Sequence, residues 1–260
     1  HGAIGRKERI EDLLFSYGIQ ENDRIVVYDH KGGSDAARFW WVLQYYGHEN
    51  AQVLEGGYMA WGDRKANFRT AENLAIEDKY LFKNENKNIK AEKQEVIAAM
   101  NDDAFVLVDT RMKEEFEGTM LKDPAARPGR IPGARHIDWA TCINYDGDHK
   151  LKSKEELQKL FEWKGVTPDK TVICYCQTGT RSAFTYMVLT EVLEYPNVKN
   201  YDGSWVEWSQ DESLPVETGP EFELGYLSYS DIFWSTLYGY FGYIVDQITF
   251  KSKPWYENYF

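Results

Sequence analysis

A pattern repeated at a fixed interval constrains this chain more than any other feature of its sequence. Arg24-Ile25-Val26-Val27-Tyr28-Asp29 and Thr171-Val172-Ile173-Cys174-Tyr175-Cys176 are both short, β-branched apolar runs ending on a polar or reactive residue, 147 residues apart. Glu55-Gly56-Gly57-Tyr58-Met59-Ala60-Trp61 and Asp202-Gly203-Ser204-Trp205-Val206-Glu207-Trp208 stand at the same interval. So do Ile10-Glu11-Asp12-Leu13-Leu14 with Gly18-Ile19, and Leu157-Gln158-Lys159-Leu160-Phe161 with Gly165-Val166. Three blocks at one offset point to two homologous units, each a supersecondary module.

The later copy reads as an α/β unit. Ser153 with Glu156 three residues on has the spacing of a capping box and predicts a helix over 153–164, which Gly165 ends. Thr171–Tyr175 is apolar on both faces, the mark of a buried parallel strand. A tight loop over 177–180 leads to a helix over 182–193. Val198–Tyr201 predicts a further strand, followed by a Gly turn and a short helix carrying Trp205 and Trp208. Upstream, a helix over 91–101 precedes the apolar strand Phe105–Asp109. Strand–helix alternation predicts α/β architecture, with each unit a mainly parallel sheet flanked by helices. The part of the first unit equivalent to 91–147 would precede residue 1, so that unit is expected to lack its N-terminal half. The expected layout is a partial domain at 1–65, a polar linker at 66–90, a complete domain at 91–219 and an extension at 220–260.

The charge balance narrows the partners. Lys and Arg number 30 against 42 Asp and Glu, a net charge of −12. Such a surface repels nucleic-acid phosphates, and no basic block offsets it, so sequence-independent DNA or RNA binding is excluded. No uncharged apolar run approaches the roughly 20 residues of a membrane span. Three Cys cannot all pair and do not make a disulfide scaffold. The chain opens His1-Gly2-Ala3 with neither Met nor an apolar signal core, as a processed product or a fragment would. The 220–260 segment matches neither repeat. Its aromatics, from Phe233-Trp234 through Tyr238, Tyr240, Phe241 and Tyr243 to Trp255, Tyr256, Tyr259 and Phe260, invite association.

The chemistry centres on Cys176-Gln177-Thr178-Gly179-Thr180-Arg181-Ser182. A Cys at the carboxyl end of a parallel strand, followed by a short Gly-containing loop and a helix start, occupies the usual ligand-binding end of an open sheet. Backbone N–H groups of that loop would favour the thiolate, the nucleophilic form, and would cradle an anionic group. Arg181 adds a fixed positive charge. Cys174 lies two residues away on the same strand face and supplies too few ligands for a metal, so it reads as a buried core Cys. Cys142 has no motif around it. Trp205 and Trp208 read as core or cleft-wall aromatics. Of the adjacent Trp40 and Trp41, one is expected in the core and the other at the interface between units.

Asp109-Thr110-Arg111, Glu115-Phe116, Gly129-Arg130-Ile131-Pro132-Gly133-Ala134, the Cys176 loop, and Tyr201-Asp202-Gly203-Ser204-Trp205 with Trp208 together resemble a rhodanese domain. The first unit, through Ala37-Arg38-Phe39-Trp40-Trp41, Tyr46-Gly47-His48 and Val53-Leu54-Glu55-Gly56-Gly57, resembles the inactive domain of tandem rhodaneses, the thiosulfate sulfurtransferase family. The resemblance implies a sulfurtransferase with no cofactor or metal. It makes Cys176 the nucleophile that carries a sulfane sulfur as a persulfide. The donor would be thiosulfate, 3-mercaptopyruvate or polysulfide, and the acceptor a thiol or cyanide. It implies substrate contacts from Gln177, Thr178, Gly179, Thr180, Arg181 and Arg130, with Asp109 and Arg111 in support as a structural ion pair. Asp29 takes the place of Cys176 in the first unit, so one active site is expected per chain, at the cleft between the units. A six-residue loop from Cys176 to Arg181 fits a persulfide better than the longer phosphate loop of related phosphatases.

Gln177 and Thr178 match neither the thiosulfate nor the mercaptopyruvate loop pattern, and Glu115 stands where the family often has Arg and would repel a dianion. Thiosulfate is the first expectation, with a protein-bound or polysulfide donor open. The alternative is a catalytically silent rhodanese-fold structural or assembly protein. The half-missing first unit predicts an oligomer, or a complex with a chain supplying the missing half-domain. The Met-less start and similarity to a periplasmic subgroup favour export over a cytoplasmic location.

Overall fold

The structure is a computed structural model and describes residues 4–61 and 79–221. The aromatic segment at 222–260 and residues 66–78 of the expected linker lie outside the described residues.

The first repeat comprises α1 (Lys7–Ser16), β1 (Ile25–Val27), α2 (Ser34–Tyr45), β2 (Ala51–Val53) and α3 (Gly57–Trp61). The second comprises β3 (Lys90–Ala91), α4 (Lys93–Ala99), β4 (Phe105–Asp109), α5 (Lys113–Glu117), β5 (Arg135–His136), α6 (Lys154–Trp163), β6 (Thr171–Tyr175), α7 (Thr180–Met187), β7 (Val198–Tyr201) and α8 (Ser204–Gln210). The 147-residue interval extends into the sheets. β1 and β2 pair Ile25 with Ala51 and Val27 with Val53, and β6 and β7 pair Val172 with Val198 and Cys174 with Asn200, all parallel.

The second sheet has the order β3-β7-β6-β4-β5 and is parallel throughout. Chain order reverses between β4 and β6, which makes their carboxyl ends the switch point where such sheets bind ligands. The central strands β4 and β6 are largely apolar on both faces because both faces are covered. Val106, Val108, Val172 and Cys174 enter one core, while Leu107, Ile173 and Tyr175 enter the other. The α6 start is the capping box that the sequence predicts: Ser153 Oγ accepts from the Glu156 N–H at 3.3 Å, and the Glu156 carboxylate accepts from the Ser153 N–H at 2.9 Å.

The two repeats share one of these cores. It holds Leu14, Trp40 and Trp41 of the first unit together with Phe184, Met187 and Leu189 of the second. α2 is therefore covered on more than one side, and both Trp40 and Trp41 are buried. Trp40 Nε1 donates to the Ala51 carbonyl at 3.0 Å, and Trp41 stacks on Tyr45. The expectation of a division between core and interface dissolves, because the interface is core. The second half of the expected linker is also structured. Tyr80 and Phe82 are buried against His48 and Tyr46, the Phe82 N–H donates to buried Glu11, and Lys90 begins β3. Its polar composition hid two aromatic anchors. The helix expected over 182–193 begins earlier, at Thr180, and passes into a π-helical turn at Val188–Val192. No helix among the described residues is long and apolar enough to cross a membrane.

Candidate active site

Cys176 follows β6 directly and is 1% exposed. Its loop is clamped from the β7–α8 side. The Cys176 N–H donates to Ser204 Oγ at 3.2 Å, Ser204 Oγ donates to the Tyr201 carbonyl at 2.7 Å, and the Trp205 and Val206 N–H groups donate to the carbonyls of Cys176 and Gln177 at 3.0 and 3.1 Å. Gly179 precedes α7 with φ +81°, and a Cβ there would stand 2.9 Å from the Asp202 carbonyl oxygen, so both backbone and space require glycine. The Asn200 side-chain amide donates to the Gly179 carbonyl at 3.1 Å.

This clamping aims the loop at the sulfur. Burial works against a thiolate at Cys176. The Arg181 charge, the N–H groups of Ser182 and Thr178, and the Ser182 hydroxyl outweigh it and hold the thiol below its usual range. The Ser182 hydroxyl is fully buried and has no nitrogen or oxygen partner among the described residues. The other two thiols behave oppositely. Burial pushes Cys142 up to about 12 and Cys174 further still, so both are core groups in their neutral form at ordinary pH.

The structure separates the other sequence-predicted residues. Thr178 contributes its N–H, Thr180 opens α7, and Gln177 turns its amide onto the Lys122 carbonyl at 2.7 Å. Arg181 forms a two-pronged pair with Glu115, Nη1 to Oε2 at 2.7 Å and Nη2 to Oε1 at 2.9 Å. Glu115 is therefore a buried partner of the loop cation, and that contact holds its carboxyl below the usual range against the opposing effect of burial. Arg111 closes on Asp109 through three hydrogen bonds of 2.6–3.1 Å, donates to the Gly129 carbonyl, and lies over the Trp205 ring. The expected substrate contact from Arg130 is corrected. Its guanidinium is buried over the Phe116 ring and donates to Glu217 and to the Gly219 carbonyl at 2.5 Å each, so it ties down the segment after α8.

Four site residues escaped the sequence reasoning: Asn200, Ser204, Asp202 and Arg38. Arg38 belongs to α2 of the first repeat, yet its Nη2 pairs with Asp202 at 2.5 Å and its Nη1 approaches the Gly179 carbonyl at 3.4 Å. The repeat itself held a signal for Ser204. It has φ +52°, and its counterpart 147 residues earlier is Gly57 with φ +54°.

The equivalent loop of the first repeat is filled from within. Asp29 Oδ1 accepts from the N–H groups of Lys31 and Gly33 at 2.7 and 2.8 Å, and Oδ2 from Ala36 at 3.0 Å. Burial opposes the ionised form, but these backbone donors outweigh it and lower the carboxyl below its usual range. The loop thus binds an anion, and in this copy the anion is a side chain. A cavity of about 290 Å³ between the repeats is lined by Gly32, Gly33, Trp40, Phe184 and Met187, on this side and without Cys176.

A rhodanese-like domain model matches residues 5–64 and 92–211. The chain belongs to the rhodanese-like family. A Haloferax volcanii protein, provisionally named a thiosulfate sulfurtransferase, is 40% identical over 220 residues, covering 82% of this chain and 75% of that one. The sulfur carrier protein TtuD of Thermus thermophilus is 34% identical over 224 residues, covering 83% and 78%. Among solved structures, the anaerobic ergothioneine biosynthesis enzyme of Chlorobium limicola, in complex with trimethyl histidine, superposes with a TM-score of 0.71 at 26% identity. That match covers 84% of this chain and 56% of the longer one. Rhodanese-like α/β architecture thus stands on both sequence and fold.

Proposed function

We propose that this sulfurtransferase takes a sulfane sulfur from thiosulfate or a related donor onto Cys176 as a persulfide and passes it to a thiophilic acceptor such as a thiol or cyanide. One observation carries this assignment: a buried Cys at the switch point of the sheet, held toward the thiolate by Arg181 and by the Thr178 and Ser182 N–H groups. The thiolate would attack the outer sulfur of thiosulfate, forming one S–S bond while the donor S–S bond breaks and sulfite leaves with its electron pair. The acceptor would then attack the outer sulfur of the persulfide and return Cys176 as a thiolate. Each step exchanges one bond to sulfur for another, so no external oxidant enters.

Intact mass spectrometry tests this. A gain of about 32 Da after thiosulfate treatment, present in the native chain and absent from Cys176→Ala, is expected for a persulfide. If thiosulfate, mercaptopyruvate and polysulfide all leave the mass unchanged, the chain is a scaffold with the family fold. A partner chain is part of the same proposal. Among the described residues β1 pairs only with β2, and Val26 in it is 50% exposed, as the edge of a sheet open to a further strand would be. A second polypeptide in the native spectrum is the expected result.

A further inference from the structure

The cavity between the repeats lies on the Asp29 side of the shared core, and both copies build it. Its floor is apolar and buried: Trp40 and Ala51 come from the first repeat, Ile143, Phe184 and Met187 from the second. One wall is backbone. Gly32 and Gly33, at φ +82° and +98°, press so close to the second repeat that a Cβ on Gly32 would stand 3.1 Å from Ile143, and one on Gly33 3.2 Å from Phe184. A void left empty forfeits dispersion contacts for every side chain that faces it, and an apolar occupant restores them. An apolar cavity of about 150 Å³ holds one benzene ring, so about 290 Å³ has room for a fused pair.

The fixed charge around this floor has one sign. Glu55 of the first repeat and Glu191 of the second line the cavity and are exposed. Among the described residues neither has an ion-pair partner, and Glu191 accepts from the Thr190 hydroxyl at 3.3 Å. Behind Gly33 stands the Asp29 carboxylate, which accepts the Gly33 N–H at 2.8 Å. Gln52 and His149 complete the polar lining, with no Lys or Arg among the described residues. An anionic ligand would meet three carboxylates and no fixed cation. A cationic one meets partners at the mouth while its body fills the floor. The rings of Trp40 and Phe184 suit a flat aromatic body. We infer that this cavity binds a small organic cation, an aromatic body of about 10–14 non-hydrogen atoms carrying one ammonium group. The site excludes Cys176 and does not depend on the sulfur-transfer assignment.

Saturation-transfer NMR titrations of the full chain at pH 8 test this with three probes of similar shape: tryptamine, a cation; tryptophol, neutral; and indole-3-propionate, an anion. The native chain is expected to bind tryptamine with a Kd at or below about 1 mM, tryptophol more weakly and the anion most weakly. The double variant Glu55→Gln/Glu191→Gln changes two exposed residues and leaves the floor intact. It is expected to weaken tryptamine about three- to tenfold and to leave tryptophol unchanged. Val192→Trp fills the mouth from a half-buried position and is expected to abolish binding of both. If it does not fold, the probe order and the double variant decide alone. Tryptamine binding no tighter than tryptophol, tighter binding of the anion, a double variant indistinguishable from the native chain, or retained binding in folded Val192→Trp overturns the inference. So does the lack of saturable tryptamine binding below about 5 mM. Cys176→Ala is expected to bind tryptamine as the native chain does; a loss there places the probe at the thiolate and overturns the inference too.

Discussion

Replacing Asp29 with Ala tests whether the loop of the first repeat is an anion site filled from within. The substitution strips acceptors from three backbone N–H groups, those of Lys31, Gly33 and Ala36. A hydrogen bond to a charged group contributes about 1.5–3 kcal/mol. The Lys31 bond is exposed, the other two are partly buried, and all three share one carboxylate, so water recovers part of the loss. The expected cost is about 2–4 kcal/mol rather than the full sum. Asp29→Asn keeps Oδ1, and with it the Lys31 and Gly33 bonds, and should lose roughly half as much. Urea unfolding followed by far-UV circular dichroism measures both. Because folding lowers the Asp29 carboxyl from 3.8, its contribution is present above that pH and fades as pH falls through the folded value. The gap between native chain and Asn variant should therefore close in acid. An emptied cradle should also take sulfate. Sulfate stabilises most proteins by exclusion, so the readout is its increment in Asp29→Ala minus that in the native chain, against NaCl of equal ionic strength. Saturation at about 100 times Kd would restore about 2.7 kcal/mol. A cost under about 0.5 kcal/mol would refute the structural role of the carboxylate. Equal sulfate increments would refute the anion cradle.

Arg111→Met should cost about 3–5 kcal/mol in urea unfolding by stranding Asp109, while the Asp109→Asn/Arg111→Met pair recovers part of that; a full recovery failure would mean the pair does more than neutralise itself. Ser182→Ala removes the hydroxyl beside the Cys176 sulfur and should move the midpoint of iodoacetamide alkylation upward, with an unmoved midpoint counting against that contact. Arg38→Met breaks the ion pair to Asp202, whose side chain is 3% exposed, and should lower stability by about 2–4 kcal/mol and slow sulfur loading together. Unchanged loading in the folded variant would show that the first repeat does not brace the catalytic loop.

Much of this molecule was legible residue by residue. β4 and β6 coincide with the apolar runs Phe105–Asp109 and Thr171–Tyr175, and β7 with the expected strand Val198–Tyr201. A strand covered on both faces cannot carry a polar side chain without a partner, so its boundaries are written into local composition. The Cys176 loop was legible because its glycine and its place after a strand are local too. The contacts of Glu115 and Arg130 were hidden for the opposite reason. Their partners, Arg181 and Glu217, lie 66 and 87 residues away, and the sign of a lone charge does not say which cation or carbonyl it meets. Arg38 was missed because its function lies in the other repeat.

Sequence alone thus determined that this chain holds two copies of one α/β unit, one ending its strand on Cys176 and the other on Asp29, since strand burial, helix capping and the repeat interval are all short-range patterns. Tertiary structure alone decided how the copies merge. α2 and α7 close into a shared core, Arg38 of one repeat reaches the loop of the other, and Glu115 pairs with Arg181. These outcomes depend on which side chains meet across the fold once water is excluded, where an unpaired charge costs several kcal/mol and its nearest partner, however distant in sequence, sets the chemistry of the site.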